Sequence, residues 1–279
     1  MKEPIRIMIN GIPGNVAVNL ARHALADNRF LVIPWSLTGP EIEADRHEID
    51  AFVCHLIRPA ERDERIQEIR KQYERFISID YTHPSAINAN AEFYCRYHLP
   101  FVMGTTGGNR QLLLQTVQQS GIPAVIAPNM AKQIVGFQAM MAYAAETFPG
   151  LFKGYSLEIR ESHQQGKADT SGTAKAMVEY FNKLGVPFSA DDILMERDPV
   201  KQARDWGIPE AYLSGHGWHT YTLVSADKNA TFTFTHNING RDIYVDGTLD
   251  AVVFLHRQME TGIAGKVFSM IDVMRGFPA

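Results

Sequence analysis

Short apolar runs separated by helix-length amphipathic stretches fill residues 1–131, and this rhythm constrains the chain more than any other feature. Ile5 to Ile9, Phe30 to Trp35, Ala51 to His55, Phe76 to Asp80, Phe101 to Met103 and Ala124 to Ala127 read as strands. Asn15 to Ala26, a charged stretch ending at Arg75, Ser85 to Tyr97 and Arg110 to Ser120 read as the helices between them. Such alternation predicts a doubly wound parallel sheet with right-handed crossovers. The expected fold class is α/β, with a Rossmann-like sheet first.

The rhythm changes after a helix predicted from about Gln133 to Thr147. Strands are expected at residues 153–162, where the run from Lys153 to Ile159 reads as a strand, and at 217–225 and 230–238. Thr220 to Val224 and Thr231 to Thr235 alternate polar with apolar or aromatic residues, the period of a sheet covered on one face. A second, α+β domain with a mixed sheet is therefore expected. The division is residues 1–131 and 242–279 for dinucleotide binding, and 132–241 for substrate binding and oligomerisation. A helix from Gly247 to Met259 and the segment Val267 to Met274 are apolar enough to pack back on the first domain.

Composition removes several classes. A net charge of −4 with no basic block argues against nucleic acid as a partner. The 45% hydrophobic and 21% charged content is that of an ordered chain. No apolar run nears the roughly 18 residues of a membrane span. The two cysteines, Cys54 and Cys95, lack partners at metal-ligand spacing, so neither zinc nor another metal is expected. With no apolar signal core ahead of Ile5, the expected location is the cytoplasm.

Four turns carry the signal for a dinucleotide. Gly11-Ile12-Pro13-Gly14-Asn15-Val16-Ala17 follows a strand and opens a helix, where glycine lets backbone approach a pyrophosphate. Its GxxGxxA spacing is weaker than GxGxxG, and a plain strand-to-helix turn is the alternative. Tyr81-Thr82 and Gly104-Thr105-Thr106 end two further strands, and Asn129 follows a third. At the end of the second strand, Ser36 stands where NAD-binding folds place a carboxylate, and no acidic residue comes before Glu41. This favours NADPH, with NADH as the alternative.

The densest chemistry lies in Arg160 to Ala174, RESHQQGKADTSGTA. Ser171-Gly172-Thr173 begins a helical pattern, and helix N-termini bind anions. His163 stands four residues before Lys167 and adds a proton donor to the same segment. A solvated polar loop is the other reading. His216 and His219 flank Gly217-Trp218, but nothing nearby completes a metal site. Arg241 faces a carboxylate or caps a turn.

These motifs together resemble the dihydrodipicolinate (4-hydroxy-tetrahydrodipicolinate) reductase family. The resemblance is carried by Glu161-Ser162-His163 through Lys167-Ala168-Asp169, by Ser171-Gly172-Thr173-Ala174 and by Gly104-Thr105-Thr106-Gly107. The wording is similar to the plant-type branch, with Gln164 where the common bacterial form has a second histidine. The resemblance implies NAD(P)H-dependent reduction of 4-hydroxy-tetrahydrodipicolinate to tetrahydrodipicolinate, in lysine and diaminopimelate biosynthesis. It also implies His163 as general acid and Lys167 as its aid. Substrate would be held by Gln164, Ser171, Gly172, Thr173 and Arg241, in a homodimer or homotetramer. Two rivals remain: a semialdehyde-type dehydrogenase, which needs a nucleophilic cysteine, and a non-catalytic NADPH-binding sensor, which needs no His163–Lys167 pair.

Overall fold

The structure, a computed structural model, describes residues 3–276 and divides into two compact units. One comprises Met1–Lys132 with Asp242–Ala279, and the other Gln133–Arg241. In the first unit, β1 (Ile5–Asn10) runs into α1 (Asn15–Leu25) and on to β2 (Phe30–Val32). A small sheet follows, of β3 (Trp35–Leu37), β4 (Arg46–Ile49) and β5 (Phe52–Ile57). The main sheet resumes through α2 (Arg62–Tyr73), β6 (Ile77–Asp80), α3 (Ile87–Arg96), β7 (Phe101–Met103), α4 (Arg110–Ser120) and β8 (Ala124–Ile126). Late in the chain, α8 (Ile243–Glu260), β13 (Val267–Phe268) and α9 (Met270–Arg275) return to it.

The main sheet has six parallel strands in the order β13-β8-β7-β6-β1-β2. Strand order reverses at β1, so the crevice beyond the carboxyl ends of β1 and β6 is the topological switch point. Central strands are buried on both faces: Met8, Ile9, Ile79, Phe101 and Val102 are all inaccessible. That explains why they read as continuous apolar runs rather than alternating ones.

One expectation fails here. The predicted second strand, Phe30 to Trp35, is two strands in two sheets. Pro34 has no N–H to continue the ladder, while its carbonyl accepts from the His55 amide in the other sheet. β3 then pairs parallel with β5, and β4 pairs antiparallel with it.

The second unit contains α5 (Lys132–Thr147), β9 (Ser156–His163), α6 (Gly172–Lys183), β10 (Leu194–Glu196), α7 (Pro199–Trp206), β11 (His216–Val224) and β12 (Thr231–Asn239). Helix α5 begins one residue before the boundary. The sheet order is β10-β9-β11-β12, with β9 and β10 parallel and the other pairs antiparallel. One face is covered by residues of α5 and α6: Met141, Met177 and Phe181 pack with Ile159, Tyr221 and Leu223. β9 starts and ends later than the expected Lys153 to Ile159. Glu161 and Ser162 fall within the expected 153–162 and His163 extends the strand by one residue, so the three alternate in direction.

Candidate active site

The switch-point crevice of the first unit is assembled around backbone. Gly11 has φ +104, and a Cβ there would lie 2.2 Å from the Tyr81 carbonyl oxygen. Only glycine allows β1 and β6 to end that close together. Gly14 and Asn15 are exposed, Pro13 and Val16 half-buried, and Ile12 buried, following a cis Ile12–Pro13 bond. Gly14 makes no side-chain cap at the start of α1, so the cap residue offers the first-turn N–H groups no partner.

Ser36 is placed differently from expectation. It is fully buried, and its hydroxyl accepts from the Ile12 amide at 3.2 Å and donates to the Leu37 carbonyl. The Ser36 hydroxyl is thus spent within the glycine turn. The strand end it sits on is also less neutral than the sequence implied. Glu41 folds back so that its Oε1 lies 2.2 Å from where a Gly39 Cβ would stand. The Arg62 guanidinium, unsuspected from sequence, donates to the Thr38 carbonyl at 3.1 Å and to Asn90 at 2.8 Å.

Asp80, at the end of β6, organises the loops around this crevice. It is inaccessible and accepts from Tyr94 Oη, Asn90 Nδ2, Thr82 Oγ1 and Thr105 Oγ1 at 2.7–2.9 Å. Thr82 and Thr105 thus spend their hydroxyls on Asp80, leaving Gly104 and the exposed Thr106 as lining. A Cβ at Gly104 would strike the Tyr81 ring at 2.5 Å, and the Tyr81 hydroxyl lies 2.5 Å from Thr248 Oγ1 on α8. Asn129 turns its Oδ1 to the Ala131 amide and closes the turn after β8.

In the second unit the chemistry collects at one end of the sheet. β9 and β10 finish there, β11 begins there, and β12 ends there. His163 sits opposite Gly217, where a Cβ would come within 3.0 Å of the ring. With that space free, His163 Nδ1 lies 3.1 Å from the His216 carbonyl and Nε2 lies 3.1 Å from His219 Nε2. Burial, then the charges of Arg197 and Lys167, push the His163 imidazole down to about 4. Burial, then neighbouring His236 and His163, drive His219 well below its ordinary value.

Glu161 shares the His163 face of β9 and is inaccessible. Its carboxylate is answered by Arg197 Nη2 at 2.5 Å and by the Ser171 amide at 3.1 Å. Arg197 also donates to the Lys167 carbonyl at 2.8 Å, so one guanidinium ties the 164–171 loop to the strand. Buried Gln202 donates to the His163 carbonyl at 2.7 Å and to the Glu196 carbonyl at 3.1 Å. Neither Arg197 nor Gln202 was singled out by the sequence.

The loop itself turns at Gln164, whose carbonyl accepts from the Lys167 amide. The Lys167 ammonium is held by exposed Asp169 at 2.9 Å, a pair weakened by solvent around the carboxylate. Ser171 caps α6 by accepting from the Thr173 amide. A Cβ at Gly172 would meet nothing within 4 Å, so the helix start opens onto free space. Arg241 lays its guanidinium over Gly215, with Nη1 2.9 Å from the Cβ position, at this same sheet end.

Glu161, His163 and His219 offer ligand atoms within 4.8 Å of one another. Glu161 is already neutralised by Arg197, and Lys167 adds a second positive charge beside His163. A cation bound there would compete with the Arg197 guanidinium for the Glu161 carboxylate.

Comparison with known proteins gives consistent results. The family model "Dihydrodipicolinate reductase, N-terminus" matches residues 5–130, and its C-terminal counterpart matches residues 134–274. A rice protein named probable 4-hydroxy-tetrahydrodipicolinate reductase 1, chloroplastic, is 46% identical over 98% of this chain and 80% of its own length. An Arabidopsis thaliana protein named 4-hydroxy-tetrahydrodipicolinate reductase 2, chloroplastic, is 44% identical over 97% of this chain and 77% of its own. The fold matches that of a dipicolinate-bound dihydrodipicolinate reductase from Paenisporosarcina. There the TM-score is 0.66 at 16% identity, over 96% of this chain and 98% of that one.

The plant relatives overturn the expected cytoplasmic location, since they are named as chloroplastic and point to a plastid. Two unpaired cysteines fit any reducing compartment and did not single out the cytoplasm. No described helix is long and apolar enough to cross a membrane.

Proposed function

The chain belongs to the dihydrodipicolinate reductase family, and from that membership we propose how its two units divide the reaction. It is an NAD(P)H-dependent 4-hydroxy-tetrahydrodipicolinate reductase, acting in lysine and diaminopimelate biosynthesis. The reduced dinucleotide supplies the hydride. The Gly11–Val16 turn with the N-terminus of α1 would hold its pyrophosphate, with Tyr81, Gly104 and Thr106 along the crevice. Thr82, Thr105 and Asn129 support that crevice by holding its loops.

The observation that carries the assignment of the second unit is the joint placement of His163, Lys167 and the open start of α6. Lys167, Gly172 and Thr173, with Gln164 and Arg241, would bind the two carboxylates of a small dicarboxylate. Ser171 positions them as the helix cap. His163 then delivers the proton that follows hydride addition, because an imidazole beside an anionic ligand is driven towards its charged form. In the free protein it is neutral, so the acid is armed by substrate.

NADPH is the preferred cofactor in this reading, with NADH accepted. Arg62 favours a 2′-phosphate and Glu41 favours a free 2′-hydroxyl, and both reach the end of β3. The open face of the second sheet, with Thr220, Thr222, Thr233 and Thr235, is where a homodimer or homotetramer would form.

A coupled assay with dihydrodipicolinate synthase tests the reading through loss of reduced-cofactor absorbance. Turnover with NADPH exceeding that with NADH is expected, and Arg62→Ala should lower the ratio. Absence of turnover with either cofactor would remove the reading.

A further inference from the structure

Two side chains anchor the 164–171 loop to the second sheet, and they differ in kind. Arg197 ties its middle, donating to the Lys167 carbonyl at 2.8 Å while it pairs with Glu161. Gln202 ties its root, because the His163 carbonyl that it binds belongs to the peptide leading into Gln164. Removing Arg197 disturbs charge and geometry together. Gln202 is neutral, so its removal disturbs geometry alone.

The local sequence places Gln202 rigidly. Only Arg197 and Asp198 separate β10 from α7. Glu196 Oε1 accepts from the Arg197 and Asp198 amides at 3.0 and 2.9 Å. Asp198 then caps the helix by accepting from the Val200 amide at 2.9 Å, and Pro199 supplies the first helical residue. One turn beyond Gln202, the Arg160 guanidinium lies over the Trp206 ring at 4.8 Å and seats α7 on β9 a second time.

Gln202 is inaccessible, and its amide has one workable orientation. The nitrogen carries two hydrogens, which match the His163 and Glu196 carbonyls at 2.7 and 3.1 Å. Reversing the amide would set its oxygen against both carbonyl oxygens. The observed orientation leaves Oε1 buried with no partner among the described residues. An orphaned buried acceptor costs free energy that an apolar side chain of the same length would avoid. Stability alone is therefore a poor reason for an amide at this position. The clamp is a better one, because it fixes the peptide plane between His163 and Gln164. The His216 carbonyl holds the His163 ring separately, 3.1 Å from Nδ1. The Gln164 carbonyl accepts from the Lys167 amide at 3.0 Å, so the clamped peptide also sets where the Lys167 side chain begins.

We propose that Gln202 is a positioning residue for the reduction, clamping the ends of β9 and β10 so that His163 and Lys167 meet the dicarboxylate in one fixed geometry. This role rests on the assignment of His163 and Lys167 to the reaction. Being inaccessible, Gln202 does not touch substrate and acts through the His163–Gln164 peptide.

Gln202→Met keeps the length and removes both donors. Its kcat should fall about tenfold, the scale of a small misplacement of reacting groups. KM for the dinucleotide should stay within about twofold, since that ligand gains nothing from the second sheet in this reading. The melting temperature should fall by less than about 5 °C, because the orphaned acceptor disappears along with the lost bonds. Gln202→Glu keeps the shape but sets a carboxylate against two carbonyl oxygens, where only the protonated form can donate. Burial raises such a carboxyl towards neutral pH, so kcat relative to wild type should recover as pH falls from about 8 to about 6. The Gln202→Met ratio should stay flat over the same range. A Gln202→Met kcat within about twofold of wild type overturns the proposal, as does a Gln202→Glu ratio that is independent of pH. The Gln202→Glu profile decides by itself if Gln202→Met does not fold. Absence of turnover in wild type is a distinct result, which removes the functional reading and with it the role of the clamp.

Discussion

Each unit buries one carboxylate completely, and the two are answered in opposite ways. Asp80 is surrounded by neutral donors from Tyr94, Asn90, Thr82 and Thr105. Glu161 is answered by the Arg197 guanidinium and the Ser171 amide, with His163 Nε2 at 3.9 Å. Neutral donors fix geometry and add no net charge, so Asp80 serves as an anchor for loops over the crevice. An ion pair beside imidazoles sets their electrostatics as well, and so Arg197, which holds the loop through Glu161, also lowers the pKa of His163, the proposed acid. The same burial thus signals scaffold in one unit and chemistry in the other.

The sharpest way to break this contrast is to remove the cation. Arg197→Ala leaves Glu161 buried and unpaired and should cost about 3–5 kcal/mol in denaturant unfolding, with a large loss of kcat. Asp80→Asn should cost about 1–3 kcal/mol, raise KM for the dinucleotide and leave kcat within twofold. Equal kinetic losses in both would erase the distinction.

Acid stability comes next. His163 and His236 are held neutral, with folded values pushed down to about 4. The unfolded chain takes up these protons near pH 6.5, so the unfolded state binds more protons between pH 6.5 and about 4. Stability is therefore full above pH 6.5 and falls through that window, by up to about 3 kcal/mol per histidine. Thermal melts across pH read this, and His236→Gln should flatten the slope.

His163→Ala should lower kcat by about 10²-fold, or roughly 2.7 kcal/mol, without weakening dinucleotide binding measured by fluorescence. Lys167→Ala should lower kcat on the same scale while also raising KM for the dicarboxylate. The smallest effect belongs to Asp169→Ala. That pair is exposed, so stability should change by less than about 0.5 kcal/mol while Lys167 is freed for substrate.

Much of the fold was legible because its signals are local. Phe101–Met103 and Arg110–Ser120 are bounded as their apolar runs and turn residues predicted. The Ser-Gly-Thr start of α6 was equally readable, since N-caps are short-range. The division of Phe30 to Trp35 between two sheets was signalled by Pro34, whose missing N–H demotes a strand. The residues missed in the site share another property. Arg197 reaches the loop only because β10 pairs parallel with β9, and His219 meets His163 only through the β9–β11 register. Pairing partners and register are set by tertiary contacts, and a single strand's alternation does not contain them. The inward turn of the Ser36 hydroxyl was hidden for a related reason, because packing against the Ile12 amide sets it.

The claim that the sheet end of the second unit is an anion site with its own acid has one direct measurement. A pyridine dicarboxylate carries the two charges of the substrate without reacting, so His163 can be titrated by NMR in its presence. Without it, the imidazole should titrate at about 4. With it bound, the value should rise by about 1–3 units, because opposite charge stabilises the imidazolium. A His163 titration that is the same with and without the bound dicarboxylate would contradict the account.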